Sequence, residues 1–386
     1  MKTALVHDHL AQDGGAEKVL KIFSEMFIEA PIYTLLYEEK NVNKYFLGRK
    51  IETSIIQKLP GGIKHYQWYL VLMPLAVEFF DLSPYDFILS DSSSFAKGVI
   101  TSPQALHICY CHTPTRYLWS DTHQYINELK YNKWFKKIIS LSLSRLRLWD
   151  YAAAARVDFF IANSKTVQQR INKYYRRSSV VIYPPVETEK FKIKGDDSNS
   201  NLSQEKYFLA GCRLVPYKRV DIVIEAFKKL GDDYRLKIFG DGPDLKRLKK
   251  IVGDSKNIEF LGRVSDEYRA ELYASAQAFI NPQEEDFGIT VVEAMASGTP
   301  VIAYGRGGAT ETIIEGETGL FFQEQTSTAI YEVVKEFRAT NFNPKVIRAQ
   351  AEKFSVAKFK ENIKRYMAWA KEGGKGNFSL DNENIE

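Results

Sequence analysis

Cysteine is scarce in this chain of 386 residues, and long apolar runs are missing. Cys109, Cys111 and Cys212 are too few for a disulfide framework, which points to a reducing compartment and predicts a cytoplasmic protein. Cys109 and Cys111 lie in an apolar run without a second ligand pair, so no metal site is expected there. The longest greasy window, Tyr69 to Phe80, holds Pro74 and Glu78 and is too short to cross a bilayer. The apolar N-terminal run passes directly into His7-Asp8-His9, so no secretory leader is expected. What is present is ordinary. With 45% hydrophobic, 13% aromatic and 26% charged residues, the chain is neither disordered nor collagen-like and can fill sizeable cores. At roughly 100 to 200 residues per domain, the length predicts two domains.

The formal charge of +5 is unevenly spread. Residues 1–190 hold 24 basic and 18 acidic side chains, and the remainder 29 and 30. Within the first half, residues 130–177 carry twelve Lys or Arg against Asp150 and Asp158 alone. Such a stretch suits an anionic partner. From residue 131 to Trp149, Trp134, Phe135, Ile138, Ile139, Leu141, Leu143, Leu146 and Leu148 alternate with Lys133, Lys136, Lys137, Arg145 and Arg147. That pattern fits a helix lying on an anionic membrane surface, and equally a core helix whose basic residues face water. No nucleic-acid motif accompanies the charge, so no nucleic-acid partner is expected.

Strands are expected at Lys2–His9, Phe87–Ser90, Leu106–Cys111, Phe159–Ala162 and Val180–Ile182. After Pro184-Pro185 and the polar loop at 195–201, a second series follows at Tyr207–Ala210, Leu236–Phe239, Ile258–Leu261, Ala278–Asn281 and Pro300–Ala303. Helices fit Val220–Leu230, Leu245–Val252, Asp266–Ser275, Ile289–Ser297 and Ala357–Lys371. Strand–helix alternation in both halves predicts two doubly wound, Rossmann-like α/β domains facing a cleft.

Chemistry concentrates in a few loops. Glu285 and Glu293 bracket the turn Asp286-Phe287-Gly288 that opens a helix. Carboxylates so placed can accept from hydroxyls on two parts of one ligand, while amides at Gly288, Ile289 and Thr290 point at a phosphate. A solvated acidic turn before an ordinary helix reads the same way. Arg213 and Lys218 follow the first strand of the second half, as two cations for one diphosphate or as a basic surface loop. Gly14 and Gly15 allow close backbone approach at a helix start, though they are no complete G-x-G-x-x-G. His112, Arg116, Tyr117 and Trp119 crowd one loop. His112 there can meet a sugar hydroxyl and Trp119 can stack on a ring, although a lone histidine is also an ordinary structural residue.

Together these segments resemble the retaining glycosyltransferases of family 4, which have the GT-B fold, over roughly residues 1–370. The E-x₇-E pair Glu285 and Glu293 carries the likeness, with Arg213, Lys218, Gly14-Gly15 and the junction Ile182-Tyr183-Pro184-Pro185-Val186. Tyr110-Cys111-His112-Thr113-Pro114, Phe260-Leu261-Gly262-Arg263 and Tyr304-Gly305-Arg306-Gly307-Gly308 look like a branch of mannosyltransferases that build bacterial O-antigen and exopolysaccharide. Asp286, where many members have glycine, matches that branch.

The resemblance implies an acceptor-side domain at 1–186 joined by a C-terminal helix at 356–372 that crosses back, a nucleotide-sugar domain at 187–355, and a polar tail at 373–386. It implies a nucleotide-sugar donor, GDP-mannose, and a lipid-linked or oligosaccharide acceptor, with no cofactor and no metal. No D-x-D occurs. Arg213 and Lys218 would then neutralise the diphosphate, Glu293 bind the ribose, and Glu285 hold the sugar hydroxyls beside Asp286, Phe287, Gly288, Ile289 and Thr290. Gly14 and Gly15 would face the diphosphate and His112 the sugar, with Asp8, Arg116, Tyr117 and Trp119 on the acceptor side.

Overall fold

A computed structural model describes residues 1–128, 132–193, 206–376 and 378–380. Lys130, the loop at 195–201, the tail beyond 380, and the side chains of Lys133 and Phe135 lie outside the described residues. The chain divides into two compact units, Met1–Tyr183 with Phe359–Glu386, and Pro184–Lys358.

The first unit is built on β1 (Thr3–Leu10), β2 (Ile32–Tyr37), β3 (Ile51–Thr53), β4 (Phe87–Ser92), β5 (Leu106–Cys111), β6 (Phe159–Ala162) and β7 (Ser179–Val181). They form one sheet in the order β3-β2-β1-β4-β5-β6-β7, every pairing parallel. The central strands β4 and β5 are buried along almost their whole length, as in parallel sheets covered on both faces, although they carry polar Ser90, Asp91, Ser92 and His107. Strand order reverses between β1 and β4, which opens a crevice at their carboxyl ends. Strands β2 and β3 go beyond the sequence expectation.

The helix Gly15–Met26 buries Val19, Leu20, Ile22 and Phe23 on this sheet. The final helix, Val356–Lys371, buries Phe359, Ile363, Tyr366, Met367 and Ala370. From Phe359 onward it belongs to the first unit, with the Tyr366 hydroxyl donating to the Phe160 carbonyl at 3.2 Å. Each such large apolar side chain is worth about 1.5–3 kcal/mol when buried.

The basic segment forms the helix Lys133–Ala154. Leu143 and Leu146 are buried on its inner face, yet Trp134, Ile138, Leu141 and Leu148 are exposed. A core helix with only basic residues in water does not describe it, because apolar residues occupy both faces. The segment 66–78 shares this property: Met73, Ala76 and Val77 are buried while Trp68, Val71, Leu72 and Leu75 face solvent. Among the described residues, no helix is long and apolar enough to cross a membrane.

The second unit holds β8 (Phe208–Gly211), β9 (Leu236–Phe239), β10 (Ile258–Gly262), β11 (Phe279–Asn281), β12 (Val301–Tyr304) and β13 (Gly319–Phe322). Their order is β10-β9-β8-β11-β12-β13, again all parallel, with the reversal between β8 and β11. The helices Val220–Leu230, Leu245–Val252 and Asp266–Ser275 occupy the expected residues, and Ile289–Ala296 ends one residue early. Strand β13 was not foreseen.

Candidate functional site

The carboxyl edge of the second sheet collects the charged loops at its switch point. After β8 the chain turns through Arg213 and Lys218, and after β11 through Gln283 and Glu285. The Lys218 ammonium donates to Glu285 Oε1, and Gln283 Nε2 donates to the same oxygen at 3.0 Å. The other oxygen, Oε2, has no protein partner among the described residues. Burial alone would pull the Lys218 ammonium down, but the facing carboxylate of Glu285 outweighs it and raises its pKa. Cys212, half-buried beside the pair, is pushed up to about 12 by desolvation and stays a thiol. Arg213 is exposed and forms no ion pair among the described residues.

The turn that presents Glu285 is locked from behind. The Gly308 amide donates to the Glu285 carbonyl at 2.8 Å, and a Cβ on Gly308 would lie 2.3 Å from the Phe287 Cα. Only glycine fits there. Gly288 adopts φ +94, a left-handed conformation, and caps the helix Ile289–Ala296. The first amides of that helix lack intrahelical partners and face outward from its start. Among the described residues, the buried Thr290 hydroxyl there has no hydrogen-bond partner, nor does the Gln283 Oε1. Phe287 is buried against Phe354, and Asp286 is half-buried.

Glu293 lies one turn into the same helix and is only 3% exposed, so a solvated acidic turn does not describe it. Arg269 Nε is 3.3 Å from its Oε2, and the Tyr273 hydroxyl donates to that oxygen at 3.5 Å. Burial and this carboxylate push the Tyr273 hydroxyl well above its usual value. Arg269 was not foreseen; it lies in an ordinary helix, 24 residues before Glu293, and no local pattern marks it.

At the corresponding edge of the first sheet, Gly14 caps the helix Gly15–Met26, and its amide donates to Glu17 Oε2 at 2.9 Å. His112 follows β5, with Nε2 2.6 Å from Asp91 Oδ1. Asp91, absent from the sequence expectations, also lies 2.9 Å from His7 Nδ1.

The four acceptor-side candidates all have protein partners within the first unit. Asp8 is spent internally: its oxygens accept from the amides of Ser93 at 2.5 Å, Ser94 at 2.8 Å, Phe95 at 2.6 Å and Ala96 at 2.7 Å. Trp119 donates to buried Asp150 at 2.7 Å and stacks on Tyr174, so its ring face already has a partner. Tyr117 bonds the Ser94 hydroxyl at 3.1 Å, while Arg116 lies 3.2 Å from Asp121 at the surface. Asp150 also accepts from Lys97 at 2.5 Å, Thr115 at 2.9 Å and Tyr175 at 2.9 Å, which makes it a structural hub. Among the described residues, no group of three or more His, Cys, Asp or Glu is arranged to hold a metal ion.

A doubly wound parallel sheet with paired charges and a glycine-capped helix at its switch point is an arrangement at which α/β domains commonly hold anionic ligands. Residues 191–354, within the second unit, match the profile of the family described as Glycosyl transferases group 1. The chain is similar to an uncharacterized glycosyltransferase of Methanocaldococcus jannaschii, 30% identical over 187 residues, 48% of this chain and 50% of that one. It is also similar to the GDP-mannose-dependent alpha-(1-6)-phosphatidylinositol monomannoside mannosyltransferase of Mycolicibacterium smegmatis, 30% identical over 177 residues, 40% of this chain and 46% of that one. The chain spans about half the length of these relatives. Among solved structures, HepE of Anabaena in complex with UDP and glucose matches with TM-score 0.70 at 19% identity, covering 95% of this chain and 99% of that one. The fold is therefore the GT-B class of two parallel-sheet α/β domains.

Proposed function

We propose that this protein is a retaining hexosyltransferase that moves mannose from GDP-mannose to a lipid-linked or oligosaccharide acceptor in bacterial surface polysaccharide synthesis. The observation that carries the reading is the Lys218–Glu285 pair, with exposed Arg213 in the loop that also carries Lys218, at the switch point of the unit that matches the group 1 profile. A charged, half-open pair admits an anionic substrate in a way a sealed pair cannot. When a nucleoside diphosphate arrives, Arg213 and Lys218 take its charge, and the Gly288–Thr290 amides supply further donors. Glu285 is then free to accept from sugar hydroxyls, and Glu293 from the ribose.

In the transfer step, the bond between sugar C1 and the phosphate oxygen breaks while the acceptor oxygen bonds C1 on the same face. The acceptor proton passes to the departing phosphate oxygen. The two cations stabilise that leaving group, the role a metal ion would otherwise fill. GDP-mannose is favoured by the mycobacterial relative, whose name states that donor. A UDP-sugar is the second reading, because HepE was solved with UDP and glucose.

A peripheral place on the cytoplasmic face of the cell membrane completes the proposal. The exposed Trp134, Ile138 and Leu141 lie on one helix with Lys137 and Arg145, a combination suited to an anionic lipid surface.

The experiment is a donor panel with and without acceptor lipid extract, read as free nucleoside diphosphate and as labelled product. Release from GDP-mannose above the other donors supports the full reading. Release from a UDP-sugar instead replaces the donor, and binding without release from any donor would make the protein a sugar-nucleotide-binding module.

A further inference from the structure

The family resemblance places the two ends of a buried string of ionisable groups in the first unit, Gly14 and His112, beside the donor and leaves the groups between them without a task. The string starts at the glycine turn, where the Gly14 amide donates to Glu17 Oε2 at 2.9 Å. Glu17 Oε1 lies 3.8 Å from His7 Nε2. His7 Nδ1 lies 2.9 Å from Asp91 Oδ2, and Asp91 Oδ1 lies 2.6 Å from His112 Nε2. It therefore runs from the loop after β1, through β1 and β4, to the residue that follows β5. His7, Asp91 and Glu17 are 3%, 1% and 2% exposed, and only His112, at 12%, reaches the surface.

A carboxylate this dry is tolerated only when donors engage it. Asp91 has an imidazole on each oxygen. Burial would raise its carboxyl, but His112 and His7 hold it below the usual range. His7 in turn has a carboxylate at each ring nitrogen; burial pulls it down, but Asp91 and Glu17 outweigh that and raise it to about 10. The remaining neighbours do not disturb this order. His9, on the same strand, is lowered by burial, and the Asp8 carboxylate is occupied by four amides. The Tyr110 ring packs edge-on to His112, and burial keeps its phenol protonated.

The consequence falls on His112. Facing an ionised Asp91 whose other oxygen takes the His7 proton, His112 Nε2 must be the donor. A neutral imidazole has one ring proton, so Nδ1 keeps its lone pair. We propose that Asp91, backed by His7 and Glu17, is a positioning residue that fixes the proton of His112 on Nε2 and presents Nδ1 as a hydrogen-bond acceptor for a substrate hydroxyl. This rests on the sugar-transfer reading above for the identity of the hydroxyl, and on the geometry alone for the tautomer.

The test begins with ¹⁵N-histidine NMR of the full chain, whose six histidines keep the spectrum simple and where H112Q identifies the His112 signals. The expected spectrum at neutral pH shows His112 with an unprotonated Nδ1 and a protonated Nε2. A proton on Nδ1, or on both nitrogens, overturns the proposal. The second arm is D91N. Folded D91N should lose about 10- to 100-fold in kcat with donor KM within about twofold, and its His112 signals should report a mixture of tautomers. Folded D91N with unchanged kcat overturns the positioning role. If D91N does not fold, the wild-type spectrum decides by itself. If wild-type protein turns over no donor at all, the sugar-transfer reading falls and the tautomer result stands separately.

Discussion

Both sheets reverse their strand order at a switch point and set opposite charges at the carboxyl ends flanking it, yet the two edges differ in one respect. In the first unit, His7, Asp91 and Glu17 are sealed, and each carboxylate has fixed protein donors. In the second, Lys218 and Glu285 are 16% and 18% exposed, and Glu285 Oε2 has no protein partner among the described residues. A sealed network can orient its terminal group but cannot exchange partners, because breaking it strands a charge in a dry site. A half-open pair is partly screened and can trade its partner for a ligand. The difference assigns orientation to one edge and substrate charge to the other.

The most damaging test of that contrast is Lys218→Ala. Removing the cation should lower kcat/KM for the preferred donor by about 10²- to 10³-fold in steady-state assays. A loss below about threefold would leave the open edge with no larger role than the sealed one.

Asp8→Ala separates structure from chemistry at the first edge. It orphans four amides, so urea unfolding should show a loss of roughly 3 kcal/mol or more, with activity per folded molecule kept. Wild-type stability with lost activity would return Asp8 to the acceptor site.

The sealed edge also predicts a pH dependence. His7 is raised from 6.5 to about 10, so its contribution is fully present below pH 6.5 and is lost as pH rises through 10. Urea midpoints should fall across that window in the wild type and lose that slope in His7→Gln. A wild-type midpoint that is flat over this range contradicts a cationic His7.

The smallest effect expected is at the outer helix face. Lys137→Glu with Arg145→Glu should weaken co-sedimentation with anionic liposomes about tenfold or more, from about 1 kcal/mol per basic residue. Unchanged sedimentation removes the membrane from the account.

Much of this contrast is legible in the sequence, but unevenly. The helices Val220–Leu230, Leu245–Val252 and Asp266–Ser275 are legible to the residue, the first two from a clear apolar stripe and the third from the Ser265 cap that opens it. Strand β13 escaped because four residues starting at glycine have no period to read. β2 had a usable signal in Ile32-Tyr33-Thr34-Leu35-Leu36-Tyr37, rich in β-branched and aromatic side chains. Glu285 and Lys218 were marked by spacing within their own loops, but their mutual ion pair joins residues 67 apart and leaves no local trace. Asp91 was missed for the same reason, lying 84 residues from His7 and 21 from His112. Trp119 and Asp8 carried the right chemistry for a ligand, and only tertiary packing assigns their polar atoms to Asp150 and to the 93–96 amides.

The central claim is that Glu285 serves the reacting sugar while the cations beside it hold the nucleotide. Measuring GDP affinity by titration calorimetry and GDP-mannose turnover in parallel for wild type and Glu285→Gln tests it most directly. The account predicts turnover lower by about 10²-fold or more with GDP affinity within a few-fold of wild type. Retained turnover, or a loss of GDP binding as large as the loss of turnover, would contradict it.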